Sequence, residues 1–140
     1  MIYEVRVMVI IEVKSNKKIY MDLLFLADEQ EDMINCYLER GTMYILDDNG
    51  VKAECVVTEE PNGILEIKNI AVRPNHQRKG YGKKLIDFLV EQYSGQYAFL
   101  QVGTRNSRTS TICLSFCFPT RSGRPSRPTA YGRRRKTTAR

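Results

Sequence analysis

The chain has 140 residues, enough for one domain with a single hydrophobic core. Its hydrophobic content of 42% is ordinary for a globular protein, and no apolar run reaches the roughly 20 residues that span a bilayer. The N-terminal residues lack the basic segment and apolar stretch of a secretory leader, and the four cysteines have no disulfide-framework spacing. We therefore expect a cytoplasmic protein with free thiols and no membrane partner.

Charge is divided unequally along the chain. Residues 1–104 contain all 16 acidic residues and 12 of the 22 basic ones, a net charge of −4. Residues 105–140 contain the other 10 basic residues and no acidic ones, a net charge of +10. This last part is rich in Arg, Pro, Ser and Thr and cannot bury enough apolar surface to offset the entropy of ordering. We expect disorder from about residue 119.

The N-terminal part of the chain predicts one strand and two helices. Apolar residues alternate with charged ones over residues 3–13, which is the pattern of a strand. Residues 15–27 begin with a capping pair and continue with apolar residues at helical spacing. A second helix is predicted over residues 30–40, with Gly41 as its stop. Its apolar stripe, expected to face the core, consists of Met33, Ile34, Tyr37 and Leu38.

Strand and turn signals dominate the middle of the chain. Apolar runs separated by turn residues predict a three-stranded meander and a fourth strand, which span residues 43–46, 51–58, 64–72 and 98–102. Residues 78–93 carry apolar side chains at helical spacing, so this helix would connect two parallel strands. Residues 112–118 are apolar enough for one more strand. The expected fold class is α/β, with a mixed, mostly antiparallel sheet and flanking helices.

The segment 70–84, which joins the third meander strand to the helix, carries the most specific signal. Pro74 ends the apolar run, and a basic turn containing Gly80 and Gly82 leads into the helix. A helix N-terminus offers unpaired N–H groups and a partial positive charge to an anion. The two glycines let the backbone approach a phosphate group, and the Gln77–Lys79 segment adds donors. The segment therefore predicts a phosphate-binding turn.

The same residues carry a resemblance to a known family. A strand ending in Val-x-Pro is followed by Gln77, Gly80 and Gly82 at the spacing Gln-x-x-Gly-x-Gly. This resembles the coenzyme A signature of the GNAT superfamily of N-acetyltransferases. The likeness covers about residues 16–107, and the fold that it implies is the mixed sheet described above.

The resemblance also implies a set of coenzyme A-binding residues. Backbone amides of residues 78–83 would hold the pyrophosphate, and the backbone of Ile70 and Val72 would pair with the pantetheine arm. The Val72 amide, with Ala71 beside it, would polarise the thioester carbonyl. Asn106 would contact the pantetheine after the next strand. The full implied set is Ile70, Ala71, Val72, Gln77, Arg78, Lys79, Gly80, Tyr81, Gly82, Lys83 and Asn106.

The activity implied by the resemblance is transfer of an acetyl group from acetyl-CoA to a primary amine of a small molecule or a protein. The deprotonated amine would attack the thioester directly, with no metal, and a base near neutral pH would accept its proton. Glu66 is the candidate base and Glu54 the second candidate. A charged residue alternating with Leu65 and Ile67 is also typical of a solvated sheet face, and no residue is assigned as general acid.

The likeness ends near Ser107. Members of the family continue into a helix and two more strands, which the sequence of residues 108–140 does not match. We therefore expect a partial GNAT domain over residues 1–107 and an aberrant basic tail over residues 108–140. A shifted reading frame after about Ser107 would account for the composition break. Loss of the last strands would expose a sheet edge, which favours association into a homodimer.

Two other functions stand beside the enzyme. The first is a coenzyme A-binding remnant without turnover. The second is a nucleic-acid-binding protein, because the basic run Arg133–Lys136 would attract a phosphate backbone. No aromatic platform or recognition helix accompanies that run, so we favour a solvated tail over nucleic-acid binding.

Overall fold

The structure, a computed structural model, describes residues 8–102 and 110–114. Its helices and strands follow in chain order: β1 (Val9–Val13), α1 (Met21–Ala27), α2 (Glu31–Leu38), β2 (Thr42–Asp47), β3 (Val51–Glu60), β4 (Ile64–Val72), α3 (Tyr81–Tyr93), β5 (Phe99–Val102) and β6 (Ser110–Cys113). Short 3₁₀ turns lie at Lys17–Tyr20, Pro61–Gly63 and Pro74–His76. The predictions for Asn106 and for residues 115–140 lie outside the described residues.

The six strands form one sheet in the order β1-β2-β3-β4-β5-β6. Every neighbouring pair is antiparallel except β4 and β5, which are parallel. The parallel pair arises because α3 returns the chain to the starting end of β4, as a crossover helix does. The mixed, mostly antiparallel sheet predicted from the sequence is confirmed.

Hydrophobic side chains are buried on both faces of the sheet. On one face, the side chains of Tyr44 and Leu46 pack with those of Leu85 and Leu89 from α3. On the other face, the alternating β2 residues Met43 and Ile45 pack with residues of α1 and α2, namely Leu24, Ile34, Tyr37 and Leu38. We call these two sides the α3 face and the α1–α2 face. A strand buried on both faces reads as a continuous apolar run, which explains the composition of β2.

A β-bulge in β4 changes which residues reach each face. Val56 pairs with Asn69 and Val57 pairs with Ile67, so Lys68 is an extra residue in β4. Before the bulge, Leu65 and Ile67 belong to the α3-face core. After it, the even-numbered residues Ile70 and Val72 pack there instead. Asn69 and Ala71 therefore lie on the α1–α2 face.

Three details of the predicted helices are wrong. The segment predicted as one helix over residues 15–27 is a 3₁₀ turn followed by α1, and Tyr20 between them departs from helical geometry with φ −99° and ψ 19°. Met33 is 51% exposed, so it does not belong to the buried stripe of α2. The helix predicted from residue 78 begins at Tyr81, because Arg78 and Gly80 have φ values of 63° and 83°. An α-helix cannot include residues at positive φ.

Candidate active site

Arg73 fixes the end of β4. Its backbone N–H donates to the Lys52 carbonyl at 2.8 Å, and its guanidinium Nε donates to the Val51 carbonyl at 2.8 Å. Its Nη1 lies 3.0 Å from Asp22 Oδ2, and this hydrogen bond lowers the pKa of Asp22. One side chain thus joins β4, the β2–β3 hairpin and α1 where the chain turns toward α3.

The direction of the Arg73 peptide group also determines what the end of β4 presents to a ligand. Peptide groups along a strand point alternately to its two sides. Because the Arg73 N–H points toward β3, the N–H groups of Ile70 and Val72 point to the opposite side. On that side the described β4–β5 ladder covers only Ile64–Ile67 of β4. No strand among the described residues pairs with the backbone of Ile70 and Val72 on this side, where the resemblance would place the pantetheine arm.

The turn between β4 and α3 has a backbone suited to an anion. Gly80 is left-handed, and an added Cβ there would meet no atom within 4 Å, so the space beside it is open. Gly80 makes no side-chain cap, and the first turn of α3 contains no acidic residue. Lys84 makes the first helical hydrogen bond, to the Gly80 carbonyl. The amides of Tyr81, Gly82 and Lys83 come before this bond and have no acceptor within the helix, so they can donate to a phosphate group.

Tyr81 lies between the two glycines of the signature, and its contacts hold this turn in position. Its side chain is 8% exposed and belongs to the α3-face core. Its hydroxyl donates to Asp48 Oδ2 at 2.7 Å, and Asp48 lies in the β2–β3 turn. The N-terminus of α3 is therefore attached to the hairpin.

A cavity of about 410 Å³ lies against this helix N-terminus. Its lining comes from the end of α1, the end of β4 and the signature turn, and consists of Leu26, Ala27, Ile70, Ala71, Val72, Gln77, Arg78, Gly80, Tyr81, Gly82 and Lys83. The structure thus brings nine of the predicted coenzyme A-binding residues together around one cavity. Lys79 is exposed and does not line it. Leu26 and Ala27 were not predicted, because their helical spacing indicates core packing and not a ligand.

His76 is half-buried in the turn, next to the cavity-lining residue Gln77. Burial is the main cause that lowers its pKa, the cations of Lys52, Lys79 and Arg73 lower it further, and the Asp48 carboxylate raises it. The exposed cations Arg78 and Lys79 of the same turn attract a polyanionic ligand.

Glu66, the candidate base, lies on the α1–α2 face where β4 still pairs with β5. It is opposite Thr58 on one side and Gln101 on the other. Its Oε2 lies 3.2 Å from Lys68 Nζ, and the same ammonium lies 3.7 Å from Glu60 Oε1. Glu66 precedes Ile70 by four residues, which is about 13 Å along a strand.

Glu54, the second candidate, lies in a different environment. It is completely buried, and neither carboxyl oxygen has a hydrogen-bond partner in the described part of the chain. Burial raises its pKa to about 8, so its neutral acid form predominates at neutral pH. Its partner in the β3–β4 ladder is Ala71, which lines the cavity. No sequence signal separates these two glutamates, because both alternate with apolar residues in strands.

A family model for the acetyltransferase (GNAT) domain matches residues 39–114, more than half of the chain. The chain belongs to the GNAT acetyltransferase family. The match includes β2 to β6, α3 and the whole signature turn, while β1 and the cavity residues Leu26 and Ala27 precede it. It also extends through β6, beyond residue 107, where the resemblance read from the sequence ended.

Individual relatives also support membership of this chain in the GNAT family. It is 35% identical over 104 residues to the uncharacterised N-acetyltransferase YvbK of Bacillus subtilis, covering 72% of this chain and 66% of that protein. An IAA acetyltransferase from Bacillus cereus has 38% identity and a TM-score of 0.64, with 72% of this chain and 68% of that chain covered. The chain thus spans about two thirds of the length of these relatives.

A further GNAT structure bears on the ligand. An acetyltransferase from Elizabethkingia anophelis, solved with acetyl-CoA bound, is 31% identical with a TM-score of 0.66, and 71% of this chain and 67% of that chain are covered.

No helix within residues 8–102 and 110–114 has the length and apolar character needed to cross a bilayer. In the same ranges, no three His, Cys, Asp or Glu side chains come together as a metal site.

Proposed function

We propose that this protein is an N-acetyltransferase that moves the acetyl group of acetyl-CoA to a primary amine of a small molecule or a protein. The observation that carries the proposal is the cavity at the N-terminus of α3, because nine of the eleven residues expected to bind coenzyme A line it. We further propose that it works in the cytoplasm, where its exposed Cys36 and buried Cys55 remain free thiols.

The chain offers binding groups for the pyrophosphate and for the pantetheine arm of the cofactor. The pyrophosphate accepts hydrogen bonds from the amides of Tyr81, Gly82 and Lys83, and the positive end of the α3 dipole stabilises its charge. Arg78 and Lys79 add cationic charge. The pantetheine arm pairs with the backbone of β4 along its open edge, as an added strand would.

The reaction that fits this arrangement is direct attack. A base takes a proton from the acceptor ammonium, and the free nitrogen lone pair attacks the thioester carbonyl carbon. The Val72 amide, with Ala71 beside it, stabilises the negative charge that develops on the carbonyl oxygen. The carbon–sulfur bond then breaks, and the thiolate takes the second proton from nitrogen. The candidate bases are Glu66, which at this distance acts through water molecules, and Glu54.

Two measurements test the proposal in sequence. Acetyl-CoA should raise the melting temperature and give a saturable calorimetric titration at moderate salt, because a ligand that binds only the folded state stabilises it. Thiol release with a panel of primary amines should then show turnover. A folded protein that shows no thermal shift at millimolar acetyl-CoA would refute the cofactor site. Binding without turnover on any amine would instead identify a coenzyme A-binding remnant.

A further inference from the structure

Glu54 and Asn69 lie close together on the α1–α2 face. Ala53 and Cys55 belong to the α3-face core, so Glu54 between them points to the opposite side of the sheet. Asn69 follows the bulge and points to that same side, two residues before Ala71, the ladder partner of Glu54. Diagonal neighbours of this kind are about 7–8 Å apart on a sheet face.

These two side chains leave three buried oxygens without a hydrogen-bond partner among the described residues. Asn69 uses its amide nitrogen, which donates to the Leu24 carbonyl and to the Tyr37 hydroxyl, each at 3.0 Å. Its Oδ1 and both carboxyl oxygens of Glu54 have no partner in the described ranges. Buried acceptors without donors cost free energy, so the cluster favours a ligand that brings several donors. An alkylammonium ion brings three N–H donors and a positive charge.

The cluster adjoins the cofactor cavity. Ala71 lines the cavity and is the ladder partner of Glu54, and directly opposed Cβ atoms on a sheet are about 5 Å apart. The end of α1 closes the same wall with Ala27, and α1 is held to the sheet by the bond from Asn69 to Leu24. The cluster is thus next to the part of β4 where the thioester carbonyl is proposed to lie, on the side opposite the phosphate-binding turn.

We infer that Glu54 and Asn69 form the acceptor-amine subsite, in which the acceptor enters past Ala71 as an aliphatic ammonium ion and Glu54 takes its proton. This inference rests on the proposed function. Asn69 Oδ1 accepts one N–H and orients the nitrogen. Neutral aromatic amines carry no positive charge for the Glu54 carboxylate to stabilise, so they are poor acceptors.

The proton balance of the step is closed. Glu54 loses its own proton to solvent as the ammonium binds, and its carboxylate then accepts one proton from nitrogen. The nitrogen forms the bond to the acetyl carbon, the carbon–sulfur bond breaks, and the second proton goes to the thiolate. The products are the amide, coenzyme A and the one proton that was released when the ammonium bound, and Glu54 ends in the neutral form in which it began.

The groups that face Glu54 set the pH at which this happens. Tyr37 of α2 contributes a hydroxyl whose pKa is raised by burial and by the charges of Asp28 and Glu54. Asp28, at the end of α1, accepts from that hydroxyl at 3.5 Å. Cys55, next to Glu54 in β3, has a raised pKa through burial and the Glu54 charge. The opposing β2 and β4 residues, Ile45 and Ala71, are apolar. No cation is among these groups, so the ammonium would be the first charge to favour ionised Glu54.

Carboxyl-detected NMR of the complex with coenzyme A tests the subsite without turnover. With glutamate labelled at Cδ, the Glu54 carboxyl should titrate near pH 8 in the absence of amine. Butylamine should lower this midpoint by about one pH unit or more, because a nearby opposite charge favours the ionised form. Aniline, which is uncharged at neutral pH, should leave it unchanged. A midpoint that butylamine does not move overturns the inference, whatever the enzyme activity.

Turnover with acetyl-CoA and butylamine gives the second test. Glu54→Gln should lower kcat/KM by about a hundredfold or more, the usual effect of losing a general base, and leave acetyl-CoA affinity unchanged. The matched control is Glu91→Gln, which alters an exposed glutamate of α3. A large loss in Glu66→Gln with none in Glu54→Gln would overturn the inference and leave the proposed function standing. A wild-type protein that acetylates no amine would refute the proposed function, and the NMR midpoint would still decide the subsite.

Discussion

The hydroxyl of Tyr81 donates to the carboxylate of Asp48 across 2.7 Å, joining the first residue of α3 to the β2–β3 turn. The two residues are 33 positions apart in sequence, so the bond is a tertiary restraint on the phosphate-binding turn. It fixes the position of the first helical residue, whose N–H and following amides are proposed to hold the pyrophosphate. The orientation of these donors therefore depends on a side chain in a different hairpin.

Replacing Tyr81 with Phe removes only the hydroxyl group, yet it should weaken cofactor binding. The substitution keeps the buried ring and removes one hydrogen bond to a charged acceptor, which is worth about 1.5–3 kcal/mol. We expect a lower melting temperature and a severalfold higher Kd for acetyl-CoA by calorimetry. Tyr20→Phe is the matched control, because the Tyr20 hydroxyl makes no hydrogen bond among the described residues. Equal Kd values for the wild type and Tyr81→Phe would contradict the restraint.

The two glycines of the signature should respond in opposite ways to alanine. Gly80 has a φ of 83°, so Gly80→Ala should destabilise the protein by about 1 kcal/mol or more even though its Cβ meets no atom within 4 Å. Gly82 lies inside α3, and its added Cβ would make only an ordinary contact at 3.8 Å with Val72. Gly82→Ala should therefore stabilise the apo protein by up to about 1 kcal/mol. Urea unfolding measures both, and the same sign for both variants would refute this assignment.

Glu54 should make stability depend on pH. Its pKa is about 8 in the folded protein against 4.5 as the ordinary value, so between these pH values the folded state binds more protons than the unfolded state. Stability is therefore greatest below pH 4.5 with respect to this group and is lost as the pH rises from 4.5 through 8, by an amount on the order of 5 kcal/mol. Urea midpoints of the wild type should fall over this range, and those of Glu54→Gln should fall less. Parallel curves would show that Glu54 is not buried as described.

Asn69 should be important for holding α1 on the sheet. Asn69→Ala removes both hydrogen bonds of its amide nitrogen and leaves the buried Tyr37 hydroxyl with one partner fewer, so we expect a loss of about 1–3 kcal/mol. Hydrogen exchange of α1 amides should accelerate more than that of α3 amides. Asn35→Ala on the exposed side of α2 is the control and should change stability by less than about 0.5 kcal/mol. Uniform acceleration in both helices would show that Asn69 contributes only to global stability.

The sheet and the phosphate-binding turn were predictable because each depends on local patterns. Alternating or continuous apolar runs define β2 to β5, and turn residues such as Asn49 and Asn62 have the positive φ values of 58° and 65° that their sequence context predicts. The signature turn was predictable for a similar reason, since Gly80 is required by its backbone conformation. These features need no knowledge of what lies across the fold.

The features that could not be predicted depend on distant contacts. Glu54 and Glu66 have the same local pattern, yet one is fully buried and the other pairs with Lys68, and only the packing of α1 against β3 and β4 separates them. Leu26 and Ala27 line the cavity although their spacing is that of core residues. The bulge at Lys68 was not predicted, although two consecutive polar residues, Lys68 and Asn69, interrupt the alternation of β4 there.

Because Lys68 is an extra residue, the alternation of side chains between the two faces of the sheet reverses partway along β4. With uninterrupted alternation from Leu65 and Ile67, Asn69 and Ala71 would point into the α3-face core, and Ile70 and Val72 would point toward α1. An amide side chain would then be buried among leucines, and Glu54 would lose its small neighbour Ala71. With the extra residue Lys68, Ile70 and Val72 join Leu65 and Ile67 on the α3 face, and Asn69 and Ala71 lie on the α1–α2 face. A deletion of this one residue would therefore remove the cavity wall without changing any residue that forms it.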